Sequence, residues 1–170
     1  RAHARGAERE AARILKDAIA AGGAGEAGGF VSLVGAGPGA RDLITLRGAQ
    51  RLQEADVIFH DRLVEPDLLE LARRDAERVF VGKAPGAVSW PQERINGVIV
   101  AAARAGKRVV RLKCGDPGVF ARGAEEAAAC DAAGVPWEIV PGVTAASAAA
   151  AEVGGFLTER GAYDSLVLTT

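Results

Sequence analysis

Residues 30–40, FVSLVGAGPGA, decide the fold: an apolar run ends abruptly in three glycines and a proline. Val31, Leu33 and Val34 form a stretch too short and too β-branched for a helix, which predicts a buried strand with Ser32 tolerated inside it. Gly35, Gly37 and Gly39 permit positive φ and let bare backbone approach whatever lies beyond the strand end. In an open α/β sheet, ligands bind outside the carboxyl ends of the strands.

Outward from this stretch, strands and helices alternate. Thr45 is placed to cap a helix running to about Glu54, with Leu46, Ala49 and Leu52 facing inward. A second strand at 57–59 ends in His60-Asp61-Arg62, and Pro66 opens a short helix over 66–72. A third strand at 79–81 leads into Gly82-Lys83. Residues 89–105 read as a helix with Ser89 or Pro91 near its start, Ile95, Val98, Ile99 and Ala102 at helical spacing and Gly106 as its stop. RVVRL at 108–112 is a fourth strand that runs into the turn-forming Lys113-Cys114-Gly115-Asp116-Pro117. A helix over 123–133, a fifth strand over 137–140 and a small-residue helix over 144–151 capped by Thr144 complete the series. Five alternations predict an α/β fold: a five-stranded, mostly parallel sheet with helices on both faces.

Before this unit, residues 7–21 have Ala11, Ile14, Leu15, Ala18 and Ile19 on one helical face, and residues 22–29 (GGAGEAGG) read as a flexible linker. The expected organisation is a helix and linker over 1–29, one domain over 30–160, and the start of a second domain over 161–170. The chain contains no methionine, and 165–170 (SLVLTT) reads as a strand just beginning, so a piece of a larger protein is expected.

The 170 residues are 49% hydrophobic and 25% charged with a formal net charge of -1, a globular composition with no excess of basic charge for nucleic acid. Two cysteines are too few for a disulfide framework, which points to a reducing cytoplasm. No run reaches the ~18 apolar residues of a membrane span, and neither His3 nor His60 has metal-ligand company.

Alone, GAGPGA fits the loose dinucleotide pattern G-x-G-x-x-[GA], with Asp61 able to imitate the acidic ribose partner of NAD. Pro38 weakens that reading, since a phosphate cradle depends on N–H donors and proline has none. Thr45 also starts the helix several residues beyond the loop, outside the short reach of a helix dipole. A tight turn that needs glycine for geometry remains an equal alternative.

Taken together, the strand-end segments are more specific. VGAGPGARDLITLRGAQRLQEADVIFHDRLV, VFVGKAPG with PQERIN, GKRVVRLKCGDPGVFARG and VPWEIVPGVTAASAAAA resemble, in order and spacing, the tetrapyrrole methylases that use S-adenosylmethionine (SAM), in particular their uroporphyrinogen-III C-methyltransferase branch. The N-terminal helix and linker also resemble the joint between the dehydrogenase/ferrochelatase and methylase modules of bifunctional sirohaem synthases. The resemblance implies two α/β domains with the active site between them, of which this chain holds the first, and a homodimer.

It further implies that Pro38 borders cofactor and substrate, that Cys114, Gly115 and Asp116 hold SAM with Val119 as an apolar neighbour, and that Thr144 and Ala145 touch the cofactor next. Asp61 matches the proton acceptor and Lys83 the proton donor. Uroporphyrinogen III is rich in carboxylates, so Arg62, Lys113 and Arg122 are expected as its electrostatic partners. The implied reaction methylates two ring carbons to give precorrin-2 for sirohaem or cobalamin. Alternatives are a methylase of another corrin intermediate, an inactive fragment, or, from a different class, an NAD-binding dehydrogenase domain; this segment alone is expected to show no turnover.

Four positions depart from the family pattern. Cys114 stands where glycine is usual, and would be strained if the turn needs positive φ there. Gly118 replaces a common phenylalanine, Ala121 a common glycine, and Glu159 a histidine.

Overall fold

A strand that is apolar on both sides must be covered on both faces, and the sheet is built to do this. The computed structural model describes residues 28–82 and 90–169, so the helix expected at 7–21 and nearly all of the linker lie outside the described residues, as does Lys83. Strands β1 (Phe30–Gly35), β2 (Val57–His60), β3 (Glu77–Phe80), β4 (Arg108–Lys113) and β5 (Trp137–Val140) form one sheet in the order β3-β2-β4-β1-β5. Every neighbouring pair is parallel. Among the described residues the helices are α1 (Leu46–Glu54), α2 (Pro66–Leu69), α3 (Gln92–Arg104), α4 (Gly123–Ala133) and α5 (Ala145–Glu152), with a 3₁₀ turn at Arg41–Leu43.

Side-chain alternation divides the core in two. On one face Val31, Leu33, Val57, Phe59 and Val109 pack against Ile95 and Ile99 of α3 and Ala127 and Cys130 of α4. On the other, Val34, Ile58, Val110 and Leu112 pack against Leu52 of α1 and Leu68 and Leu69 of α2. The chain leaves β1 toward β2 and leaves β4 toward β5, so the crossovers diverge at the β1–β4 pair. Such a switch point leaves a crevice at the strand ends.

Three local expectations change. Leu46 is 92% exposed rather than inward. Its place against the sheet is taken by Gly48, where a Cβ would lie 3.3 Å from Val34 Cγ1. Helix α2 ends at Leu69 because the amides of Leu71 and Ala72 bond back to Leu68 and Leu69, three residues behind, tightening the chain out of the α-helix. Helix α3 starts at Gln92 with Pro91 as its N-cap, in agreement with the later of the two expected starts. Residues 164–169 form no strand; Leu166, Val167 and Leu168 are exposed, and no described strand lies alongside to bond them.

Candidate functional site

The β1 and β4 ends are joined by backbone. Ala36 N donates to Lys113 O at 2.7 Å, and Gly37 and Gly115 exchange N–H···O bonds of 3.2 and 2.7 Å. Gly37 (φ 77°) and Gly115 (φ 67°) supply the left-handed conformations. The strain expected at Cys114 is therefore absent: positive φ falls one residue later, on a glycine. Ala121 is likewise free of it, since the left-handed residues of that loop are Phe120 (φ 50°) and Arg122 (φ 55°). The pairing also engages the Gly37 amide that a pyrophosphate would need, so the loop is poorly equipped as a dinucleotide cradle.

The loop after β5 closes on the same spot. A Cβ at Gly142 would sit 2.2 Å from Gly115 O, so only bare backbone fits. The Asp116 carboxylate fastens this contact: Oδ1 accepts from Gly118 N at 2.7 Å and Oδ2 from Gly142 N at 3.0 Å. A side chain at 118 would crowd Asp116 Oδ1 at 3.1 Å, which suits the glycine found there. Thr144 caps α5, its Oγ1 accepting from Ser147 N at 3.3 Å. A Cβ at Gly115 would enter the space 3.9 Å from Ala145 N and 4.0 Å from Val143 O. Thus the turn from Cys114 to Asp116 and the α5 start at Thr144-Ala145, distant in sequence, come together at one end of the sheet, with the half-buried Pro38 on the glycine loop bonded to the same turn through Gly37. These features fit SAM, whose ribose and amino-acid parts need backbone partners at close approach.

Asp61, just past β2, lines a cleft together with Cys114 of this turn. Its Oδ1 accepts from Leu63 N at 3.2 Å and its Oδ2 from Arg111 Nη2 at 3.3 Å. It lines two clefts, of ≈ 350 and ≈ 260 Å³, that share Asp61, Leu63, Gln92, Arg111 and Arg122. Arg62 lines the larger with Trp90. Val119 and Cys114 line the smaller, where burial and the nearby Asp61 charge push the Cys114 thiol up. Arg122 is exposed and paired with Glu125 at 2.6 and 2.7 Å, which raises its pKa.

Lys113 lines the smaller cleft, but it is 4% exposed and its ammonium donates to Glu126 Oε2 at 2.8 Å. Burial, then the neighbouring Arg111 charge, pushes its pKa down against the pull of Glu126. The parity of β4 explains this: 109, 111 and 113 share one face, and that face is covered by α3 and α4.

The sequence reading missed the centre of this group. Arg111, 5% exposed at its side chain, donates from Nε to Glu126 Oε1 at 2.9 Å and from Nη1 to the carbonyls of Leu112 (3.1 Å) and Phe59 (3.4 Å). Gln92 Nε2 reaches Glu126 Oε1 at 3.3 Å. The available signal was an arginine inside an apolar central strand, which demands an acid, followed by Glu125-Glu126 in the next helix. His60 Nδ1 is buried without a hydrogen-bond partner beside Phe80, and burial lowers the imidazole pKa. Among the described residues no group of three or more His, Cys, Asp or Glu is placed to hold a metal ion, and no helix is long and apolar enough to cross a membrane.

Comparison with known proteins adds to this geometry. A family model described as Tetrapyrrole (Corrin/Porphyrin) Methylases matches residues 31–170. The siroheme synthase of Tolumonas auensis is 54% identical over 144 residues, 85% of this chain and 31% of that protein. Siroheme synthase 2 of Pectobacterium atrosepticum is 58% identical over 132 residues, 78% of this chain and 29% of that protein. Among solved structures, uroporphyrin-III C-methyltransferase from Thermus thermophilus matches with TM-score 0.69 and 48% identity, over 78% of this chain and 56% of that one. The same enzyme complexed with S-adenosylhomocysteine gives 0.67 at 47% identity. A cobalt-precorrin-4 methyltransferase gives 0.68 at 37% identity, over 76% of this chain and 52% of that one. The chain thus spans about a third of the matched siroheme synthases and about half of the matched methyltransferases.

Proposed function

Because the chain belongs to the tetrapyrrole (corrin/porphyrin) methylases, we propose that it serves in the transfer of methyl groups from SAM to two ring carbons of uroporphyrinogen III, giving precorrin-2. The observation that carries this reading is the meeting of the Cys114–Asp116 turn, the α5 start and the Asp61 clefts at one sheet end. The siroheme synthase relatives support the substrate assignment.

In this reading the backbone of Cys114 to Asp116, with Pro38, Val119, Thr144 and Ala145, holds SAM, which supplies an electrophilic sulfonium methyl. The Asp116 carboxylate acts through the loop it fastens. The protein aligns a pyrrole carbon with the methyl, and Asp61 takes the proton that the ring gives up as the carbon gains its new bond. Arg62 and Arg122 at the cleft rim meet substrate carboxylates. Lys83 is the proposed proton donor. Residues 30–160 would form one domain with 161–170 opening a second, in a homodimeric cytoplasmic protein.

Calorimetry with SAM, S-adenosylhomocysteine and NAD tests the cofactor; binding of NAD alone would sink the methylase reading. Labelled methyl transfer to uroporphyrinogen III by the full-length protein tests the reaction, with Asp61→Asn expected to lower kcat by about 10²-fold while the fold and cofactor affinity persist. The likeness to the cobalt-precorrin-4 enzyme favours a second reading, a later corrin substrate; turnover of such a corrin with none of uroporphyrinogen III would select it.

A further inference from the structure

Arg111 stands between two carboxylates. Its Nε meets Glu126 at 2.9 Å and its Nη2 meets Asp61 at 3.3 Å, while Nη1 is held by two carbonyls. Glu126 is more deeply placed than either partner: its side chain is 0% exposed, and its second oxygen takes Lys113. A carboxylate so buried is retained only with charge and hydrogen-bond compensation. Here two cations, Arg111 and Lys113, face two anions, Glu126 and Asp61. The groups facing Asp61 are Arg111, Lys113 and Cys114 from β4 and its turn, Arg122 across the cleft from the start of α4, and His60 and Arg62 from its own strand end.

We propose that Glu126 is a positioning residue for Asp61: it draws the Arg111 guanidinium toward α4 and so keeps the Asp61 carboxylate able to accept a proton. The inference rests on the reading of Asp61 as proton acceptor. Without the Glu126 charge, Asp61 is the one acid left beside Arg111 among the described residues, and the pair closes. A carboxylate locked to a guanidinium is a weaker base. The fixed planar fork of arginine suits this task, since its orientation is set by partners on three sides.

The test is Glu126→Gln, which keeps size and one acceptor but removes the charge. In the full-length protein kcat should fall about tenfold, KM for SAM should stay within about twofold, and the acid limb of the pH–rate profile should move to lower pH. A Leu52→Ala control on the opposite sheet face lowers stability without that movement; an unchanged kcat and profile in folded Glu126→Gln would overturn the proposal. If that variant fails to fold, Glu126→Gln/Lys113→Met keeps the buried charges balanced and should show the same acid-limb shift; wild-type behaviour there also overturns it. Titration of the Asp61 carboxyl ¹³C signal reads the effect without substrate: its midpoint should be lower in the variant. Absence of methyl transfer by the wild-type protein would refute the methylase reading, while the carbon titration would still decide the part played by Glu126.

Discussion

The two faces of the sheet are built to different rules. Under α1 and α2 the buried contacts toward the carboxyl ends are aliphatic, Val34, Ile58, Val110 and Leu112 against Leu52, Leu68 and Leu69, and the polar partners Ser32, Glu138 and Arg51 meet toward the amino end. Under α3 and α4 the core begins with Val31, Leu33 and Val109 but becomes ionic toward the carboxyl ends, where Arg111, Lys113 and Glu126 lie buried together. The first face supplies stability through area removed from water. The second gives up part of that area to fix charges beside a cleft, which a hydrophobic cluster of equal volume could not do. The difference marks the candidate site: it lies at the carboxyl ends, where one face changes from oil to ions.

The largest expected effect is on Arg111. Arg111→Met leaves Glu126 without one of its two cations and should cost about 3–5 kcal/mol by urea unfolding, together with loss of turnover. Leu52→Ala, on the aliphatic face, should cost about 2–5 kcal/mol with S-adenosylhomocysteine affinity unchanged by calorimetry. A change of affinity of about tenfold or more in the latter would break the division of labour between the faces.

Next comes the clamp at the strand ends. Asp116→Asn loses one of two charge-assisted acceptors and turns an amide toward a backbone donor. It should cost about 1.5–3 kcal/mol and weaken S-adenosylhomocysteine binding about tenfold. Loss of stability with full affinity would show that the loops need no fastening to bind.

The smallest effects are those of pH. Burial holds the His60 pKa below its usual 6.5, so the folded state binds fewer protons than the unfolded chain. Its contribution is complete above pH 6.5 and is lost as pH falls through the lowered folded value. Glu138 behaves alike further down: Arg51, then Ser32, holds its carboxyl below 4.5, so stability falls as pH drops from 4.5 through the lowered value. Thermal melts should therefore show two acid slopes, and His60→Phe should flatten only the first.

Much of the frame was legible in the residues. The limits of β5 and α4 and the caps at Thr45 and Thr144 were read correctly, because glycine, small residues and hydroxyl caps act locally. Leu46 was misplaced because helical period alone does not say which apolar residue meets the sheet, and Gly48 came closer. The site was legible in its segments, since four strand ends carry unusual loops. Its charge pairing was not: Lys113 and Arg111 are drawn to Glu126 by the way α4 crosses β4, a relation between elements that no local spacing encodes. The substitution at Cys114 looked strained until the backbone showed that the left-handed residue is Gly115.

The strand order sets a timetable for synthesis. Of the strands in this sheet the first made, β1, ends between β4 and β5, so it finds its partners in the sheet only once Arg108–Lys113 has left the ribosome. At ~5–20 residues per second that is a wait of roughly 4–15 s, during which the most apolar strand of the chain is uncovered. Its second neighbour, and with it the Gly142 amide that Asp116 grips, emerges later still. The carboxyl-end contacts among β1, β4 and β5 are therefore made after the sheet's other strands have emerged, and a pause in translation between β1 and β4 prolongs the exposure of β1 to aggregation and to chaperones.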